Sequence, residues 1–124
     1  MSDQAPSQAE LAVLKHLWAD GTLSAREVHA RVETETGWSY STTRTLLVRM
    51  VEKGLVEKSD THGLAVFAAK ADKVSLMGRM IRDFTQRVLE IDGPLPVTAF
   101  ANSKLFSDEE ASALRRLLEE EGEA

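Results

Sequence analysis

The sequence has no cysteine, which excludes a disulfide framework and any thiolate metal site. Its three histidines, His16, His29 and His62, fall on different segments. No two share i, i+4 spacing and no HExxH run occurs, so no metal ion and no cofactor are expected. A Gly-rich phosphate loop is also missing: apart from Gly78, the seven glycines fall where elements should end. Serines precede helical runs and do not sit in a nucleophile elbow, and carboxylates are scattered along helix surfaces. No catalytic constellation emerges, and the chain is not expected to be an enzyme; a hydrolase or nuclease would have no residues to carry it. No apolar run approaches the ~20 residues needed to cross a bilayer. The start MSDQAPSQAE lacks the basic region of a signal peptide, so a cytoplasmic protein without membrane contact is expected.

Positive charge is scarce as well. The net charge is −5 at pH 7, from 15 Lys/Arg against 20 Asp/Glu, where nucleic-acid binders often have a basic balance. The deficit is uneven. Residues 1–70 hold eight basic and nine acidic side chains, and residues 71–124 hold seven and eleven. Within residues 38–58, Arg44, Arg49, Lys53 and Lys58 face only Glu52 and Glu57. This modest basic patch implies a weak, salt-sensitive attraction for phosphates.

That patch coincides with the most informative stretch, residues 37–54, GWSYSTTRTLLVRMVEKG. Thr43, Leu46, Leu47, Met50 and Val51 recur every three or four residues, the stripe of an amphipathic helix facing a core. The opposite side presents Ser41, Thr42, Arg44, Thr45, Val48 and Arg49. Ser39 and Ser41 offer caps for the first turn, and Gly54 is placed to end the helix in a left-handed turn. A helix exposed only for solubility favours Glu and Lys over Ser and Thr, which are poorer helix formers. Short hydroxyls and arginines at a helix N-terminus suit phosphates and base edges instead. The expectation is a DNA-recognition helix.

The remaining segments complete a layout. At 124 residues the chain fits one domain, or a small domain with an appendage. Ser7 to Glu10 forms a capping box before a helix with Leu11, Val13, Leu14, Leu17 and Trp18 inward, ending at Asp20-Gly21. Thr22-Leu23 reads as a short extended link. A second capping box, Ser24 to Glu27, opens a helix that buries Ala25, Val28 and Val32 and ends at Gly37. Trp18 and Trp38 read as core and hinge packing. Residues 55–59 and 65–69 read as strands joined by a turn at 60–63. Three helices and a hairpin make a winged helix-turn-helix, expected over residues 1–70, with Lys58, Ser59, Thr61 and His62 able to reach phosphate.

Residues 71–124 are expected to form a helical dimerisation region. Asp72 caps a long helix running to about Asp92, stopped by Gly93-Pro94. Val74, Met77, Ile81, Phe84, Val88 and Ile91 trace a heptad seam, which predicts subunit association over purely intrachain packing, and Leu76, Met80 and Leu89 widen it enough to predict a second packing surface. Residues 95–106 read as a short helix and loop. A third capping box, Ser107 to Glu110, opens a helix burying Ala111, Leu114, Leu117 and Leu118, and the EEEGE run reads as a solvated tail.

Residues 11–54 with Trp18, the run STTRTLLVRM at 41–50 and Lys53-Gly54-Leu55-Val56 resemble the penicillinase-repressor family. These are winged-helix repressors of β-lactamase, methicillin-resistance and copper-homeostasis genes. The resemblance continues through the wing and more loosely to the end. It implies that the N-terminal part binds a palindromic operator while the C-terminal helices, including Leu114, Leu117 and Leu118, hold a homodimer together. It also places base and backbone contacts on Ser41, Thr42, Arg44, Thr45 and Arg49. The copper-responsive branch carries a C-terminal cysteine pair absent here, so thiolate copper sensing is not expected. The β-lactam branch is inactivated by a sensor-linked protease that cuts an Asn–Phe bond. The matching position here is Ala99-Phe100, with Asn102 displaced, which leaves open whether cleavage or another signal releases the repressor.

The sequence therefore describes a mainly α protein with a small β-hairpin, expected to be a repressor binding double-stranded operator DNA as a homodimer. Its expected DNA contacts are Ser39, Ser41, Thr42, Arg44, Thr45, Arg49, Lys58 and His62. The rival reading is a winged helix for protein–protein assembly, with Arg44 and Arg49 meeting an acidic partner.

Overall fold

Serines decide where most helices of this chain begin. In the computed structural model, which describes residues 5–95 and 102–120, Ser7, Ser24 and Ser107 each accept the backbone N–H three residues on. Glu10, Glu27 and Glu110 accept the cap's own N–H in return. Each reciprocal pair satisfies two of the donors that a helix start leaves free. The three boxes open α1 (Gln8–Asp20), α2 (Ala25–Thr36) and α5 (Asp108–Glu120). Ser39 caps α3 (Tyr40–Glu52) and Asp72 caps α4 (Lys73–Arg87) through the side chain alone. The helix expected over residues 37–54 starts at Tyr40, since Gly37, at φ 72°, closes α2 by donating to the Glu33 carbonyl and Ser39 caps α3.

The chain divides into two units, Met1–Ala71 and Asp72–Ala124. In the first, α1 to α3 pack with a three-stranded antiparallel sheet of order β1-β3-β2. The strands are β1 (Leu23–Ser24), β2 (Val56–Thr61) and β3 (Leu64–Ala69). The expected link at Thr22-Leu23 is thus partly a strand: Leu23 pairs with Phe67 and both are buried. Two residues are too few for any alternation to show. The hairpin is also tighter than the sequence reading. Thr61 pairs with Leu64, and His62 and Gly63 alone make the turn, at φ 55° and 81°. Two successive positive φ values match the twist of the flanking strands, and the Asp60 carboxylate accepts the Gly63 N–H at 2.8 Å to hold the reversal.

Val13, Leu14, Val28, Val32, Leu47 and Met50 are fully buried and form the centre of this unit. Trp18 donates its indole N–H to the Ala71 carbonyl at 3.0 Å. Glu10 is buried too, at 5% exposure, and its carboxylate lies 2.7 Å from the Lys53 ammonium at the end of α3.

In the second unit α4 packs on α5. Leu95, Leu114 and Leu118 form a cluster against which Val74, Ile81 and Phe106 pack. Gly78 lets the helices approach, since a Cβ there would meet the Leu117 and Leu114 side chains. Lys73 donates to the Leu105 carbonyl and pairs with Glu110, while Arg82 donates to the carbonyls of Gly93, Leu117 and Leu118. Contrary to the sequence reading, α4 ends at Arg87 and not near Asp92: Glu90 turns to φ 57° and the Ile91 N–H bonds to the Thr85 carbonyl. Half the seam therefore serves the chain itself. Val74, Met77 and Ile81 turn inward, with Leu114 and Leu118, whereas Phe84, Val88, Leu89 and Ile91 are exposed. A heptad pattern reports an apolar stripe and does not say which helix covers it. The Ala99-Phe100 bond, Val97 and residues 121–124 of the tail lie outside the described residues.

Burial opposes ionisation of Glu10, but the bonds from Lys53 and Ser7 outweigh it and hold the carboxyl below its ordinary 4.5. A depressed folded-state value means a contribution complete above pH 4.5 and lost as pH falls through the folded value. Lys53→Met leaves a buried carboxylate without its cation. It should lower stability by about 1–3 kcal/mol at neutral pH, with a deficit that narrows below pH 4.5. Urea unfolding of both chains at the two pH values checks this, and equal stability at neutral pH contradicts it.

Candidate nucleic-acid interface

Helix α3 sorts its side chains as its period requires. Thr43, Leu47 and Met50 are buried, while Ser41, Thr42, Arg44, Thr45, Val48 and Arg49 are exposed. Ser39 is engaged locally, its hydroxyl accepting the Thr42 N–H and donating to the Thr42 hydroxyl, both at 3.1 Å. Ser41 and Thr45 are exposed, and neither hydroxyl is held by a hydrogen bond among the described residues. The buried Thr43 hydroxyl anchors the helix from behind, 3.0 Å from the His29 Nδ1 on α2.

Two residues that sequence reasoning passed over join this face. The Arg26 guanidinium lies 3.9 Å from the centre of the Tyr40 ring, and the Arg44 guanidinium lies 5.9 Å from the same ring. His29 meets Tyr40 edge-on at 5.7 Å. The ring's electron-rich face draws both cations, so one tyrosine at the start of α3 gathers arginines from two helices. The available signal was composition: Tyr40 is the chain's single tyrosine and opens the hydroxyl-rich turn.

Three shallow recesses flank α3. One, between α3 and the hairpin, is walled by Arg26, Tyr40, Arg44, Val48, Lys58 and Leu64 among others. A second lies on the helix itself, with Ser41, Arg44, Thr45 and Val48. The third, on the far side, joins Ala9 and Trp38 to Ser41, Thr42, Thr45 and Arg49. No carboxylate lines any of the three. Lys58 is thereby brought together with Arg44, whereas Ser59, Thr61 and His62 are exposed along the hairpin and its tip without joining these walls.

Four cations elsewhere are paired, Arg31 with Asp20, Lys53 with Glu10, Lys73 with Glu110 and Arg87 with Asp83, while Lys15, Lys70 and Arg79 among the described residues are not. Among the described residues, Arg26, Arg44, Arg49 and Lys58 have no ion-pair partner. Unpaired cations beside free hydroxyls on a helix start form a surface complementary to an anion with hydrogen-bonding edges. Also among the described residues, no cluster of three His, Asp or Glu could hold a metal ion, and no helix is long and apolar enough to cross a membrane.

Three helices with the third exposed beside a β-hairpin define a winged helix-turn-helix protein. The family model for the penicillinase repressor matches residues 6–120, and the chain belongs to the penicillinase-repressor family. It is 26% identical over 114 residues to the penicillinase repressor of Bacillus licheniformis, covering 92% of this chain and 89% of that protein. It is 22% identical over 112 residues to the methicillin resistance regulatory protein MecI of Staphylococcus aureus (strain N315), covering 90% and 91%. Among solved structures it resembles the solution structure of the DNA binding domain of the repressor BlaI. That match has a TM-score of 0.50 and 28% identity, over 55% of this chain and 83% of the solved one.

Proposed function

We propose that this chain is a sequence-specific DNA-binding transcriptional repressor that occupies a palindromic operator as a homodimer, working in the cytoplasm. The observation that carries the proposal is the outward face of α3, hydroxyls and unpaired arginines bordered by recesses free of carboxylates. Such a face in the major groove offers donors for guanine and adenine edges, and Arg26, Arg49 and Lys58 lie beside it for phosphates. The relatives named as repressors and the likeness to a DNA-binding domain support the same reading. Repression here is occupancy of a promoter, with no reaction. The exposed Phe84, Val88, Leu89 and Ile91 support a second copy as partner, since one chain leaves them in water. A two-fold dimer would set the two α3 helices about one DNA turn apart, ~34–36 Å, or a multiple of it. The family resemblance offers two routes of release, cleavage near Ala99-Phe100 by a sensor-linked protease or binding of a small ligand.

Two experiments follow from these surfaces. Arg44→Ala or Thr45→Ala should weaken operator binding by ~1–3 kcal/mol and relax sequence preference. Arg49→Ala or Lys58→Ala should weaken all duplexes alike and reduce the salt dependence. Gel shifts with unrelated competitor DNA separate the two patterns, and unchanged affinity and preference in the Arg44→Ala, Thr45→Ala pair contradict the assignment. Phe84→Asp, at a position 52% exposed in one chain, should leave the fold intact and dissociate the dimer by setting a carboxylate in its apolar contact. Sedimentation should show a dimeric wild type and a monomeric variant; a monomeric wild type or a dimeric variant contradicts it.

A further inference from the structure

Of the seven exposed positions of α3, five carry a hydroxyl or an arginine, Glu52 ends the helix, and the remaining one, Val48, carries valine. Val48 is 56% exposed, and a β-branched residue on a solvated helix surface costs propensity without packing in return. The first unit has a second large exposed hydrophobic among its described residues, Leu64 at 57%, and it stands on the hairpin. Both side chains wall the same recess, together with Arg26, Arg44 and Lys58 and without a carboxylate. Val48 also walls the neighbouring recess with Ser41, Arg44 and Thr45, one helical turn beyond Arg44 on the same stripe. A pocket with cationic rims and apolar walls fits a polyanion that carries a small apolar group. In a duplex the major groove offers one such group, the C5-methyl of thymine.

We propose that Val48 reads the C5-methyl group of a thymine in the bound duplex, and that Leu64 closes the recess against the sugar of the same strand. This rests on the DNA-binding reading above and adds to it a base preference set by a side chain without hydrogen-bonding atoms. Arg26 and Lys58 hold the phosphates on either side, so the methyl is delivered to Val48 by contacts that are themselves indifferent to sequence.

The test uses the full chain and a duplex it enriches from a randomised library, with each thymine replaced in turn by deoxyuridine, which removes the methyl group alone. At one position of each half-site, uracil should weaken wild-type binding about fourfold, the equivalent of one methyl group taken from water. Val48→Ala should bind the thymine duplex about fourfold less tightly and lose nothing more when uracil stands there. Leu64→Ala should weaken both duplexes alike and keep the wild-type preference. Both side chains are exposed, so neither variant removes core packing. A wild type indifferent to uracil at every position overturns the proposal, as does a Val48→Ala variant that keeps the full preference for thymine. An enriched duplex with no such coupling leaves the repressor reading standing and removes only the role of Val48. Enrichment of no sequence, with an acidic protein partner instead, removes both.

Discussion

One buried carboxylate ties the beginning of the first unit to the end of α3. Glu10 accepts the Ser7 N–H to close the start of α1, and the same oxygen lies 2.7 Å from the Lys53 ammonium just past α3. A carboxylate at 5% exposure is tolerable only with such partners, because an unpaired charge there is far more costly than the pair is favourable. The consequence is positional. Lys53 and Gly54 turn the chain out of α3, Leu55 donates back to the Met50 carbonyl, and β2 begins at Val56. The hairpin that flanks α3 is therefore held from the same junction, and with it the recess shared by Arg44, Val48, Lys58 and Leu64. Lys53-Gly54, part of the run that resembles the family, has a structural meaning: an anchor to α1 followed by a residue at φ 79° that frees the chain for the strand.

The same economy sorts the cations. Those that fasten elements meet carboxylates or carbonyls, as Lys53, Lys73 and Arg82 do. Those around α3 meet an aromatic ring or nothing. Stacking on Tyr40 orients the Arg26 and Arg44 guanidiniums without neutralising them, so their hydrogen-bonding edges stay available. A chain of net charge −5 can thus present a locally positive surface, because none of its carboxylates lines the recesses beside α3.

What was legible in the sequence was whatever depends on near neighbours. Three capping boxes and the 3,4 spacing of α3 are local rules, and Ser7, Ser24, Ser107, Thr43, Leu47 and Met50 follow them. The exposed positions of the candidate interface were legible for the same reason. What escaped depends on distant partners. Glu10 and Lys53 are 43 residues apart, and the cap and the charge looked like separate features until the fold joined them. Arg26 and Tyr40 meet only because α2 and α3 cross. Apolar residues continue to Ile91, so the pattern ran on after the helix had stopped at Arg87. The hairpin turn fell at His62, a residue that takes positive φ less readily than the neighbouring glycine, and β1 was too short to show a period.

If α3 is the recognition helix, duplex DNA meets α3 and the hairpin and no other face of the first unit. At 13.7 kDa the chain suits an NMR titration with the duplex it enriches, following backbone and methyl resonances. Salt-sensitive shifts should concentrate at residues 39–49 and 58–64, Val48 and Leu64 methyls included. Lys15, His16 and Glu35, on the outer side of α1 and α2, should be unmoved. Shifts centred on that α1–α2 surface, with α3 unchanged, would contradict it.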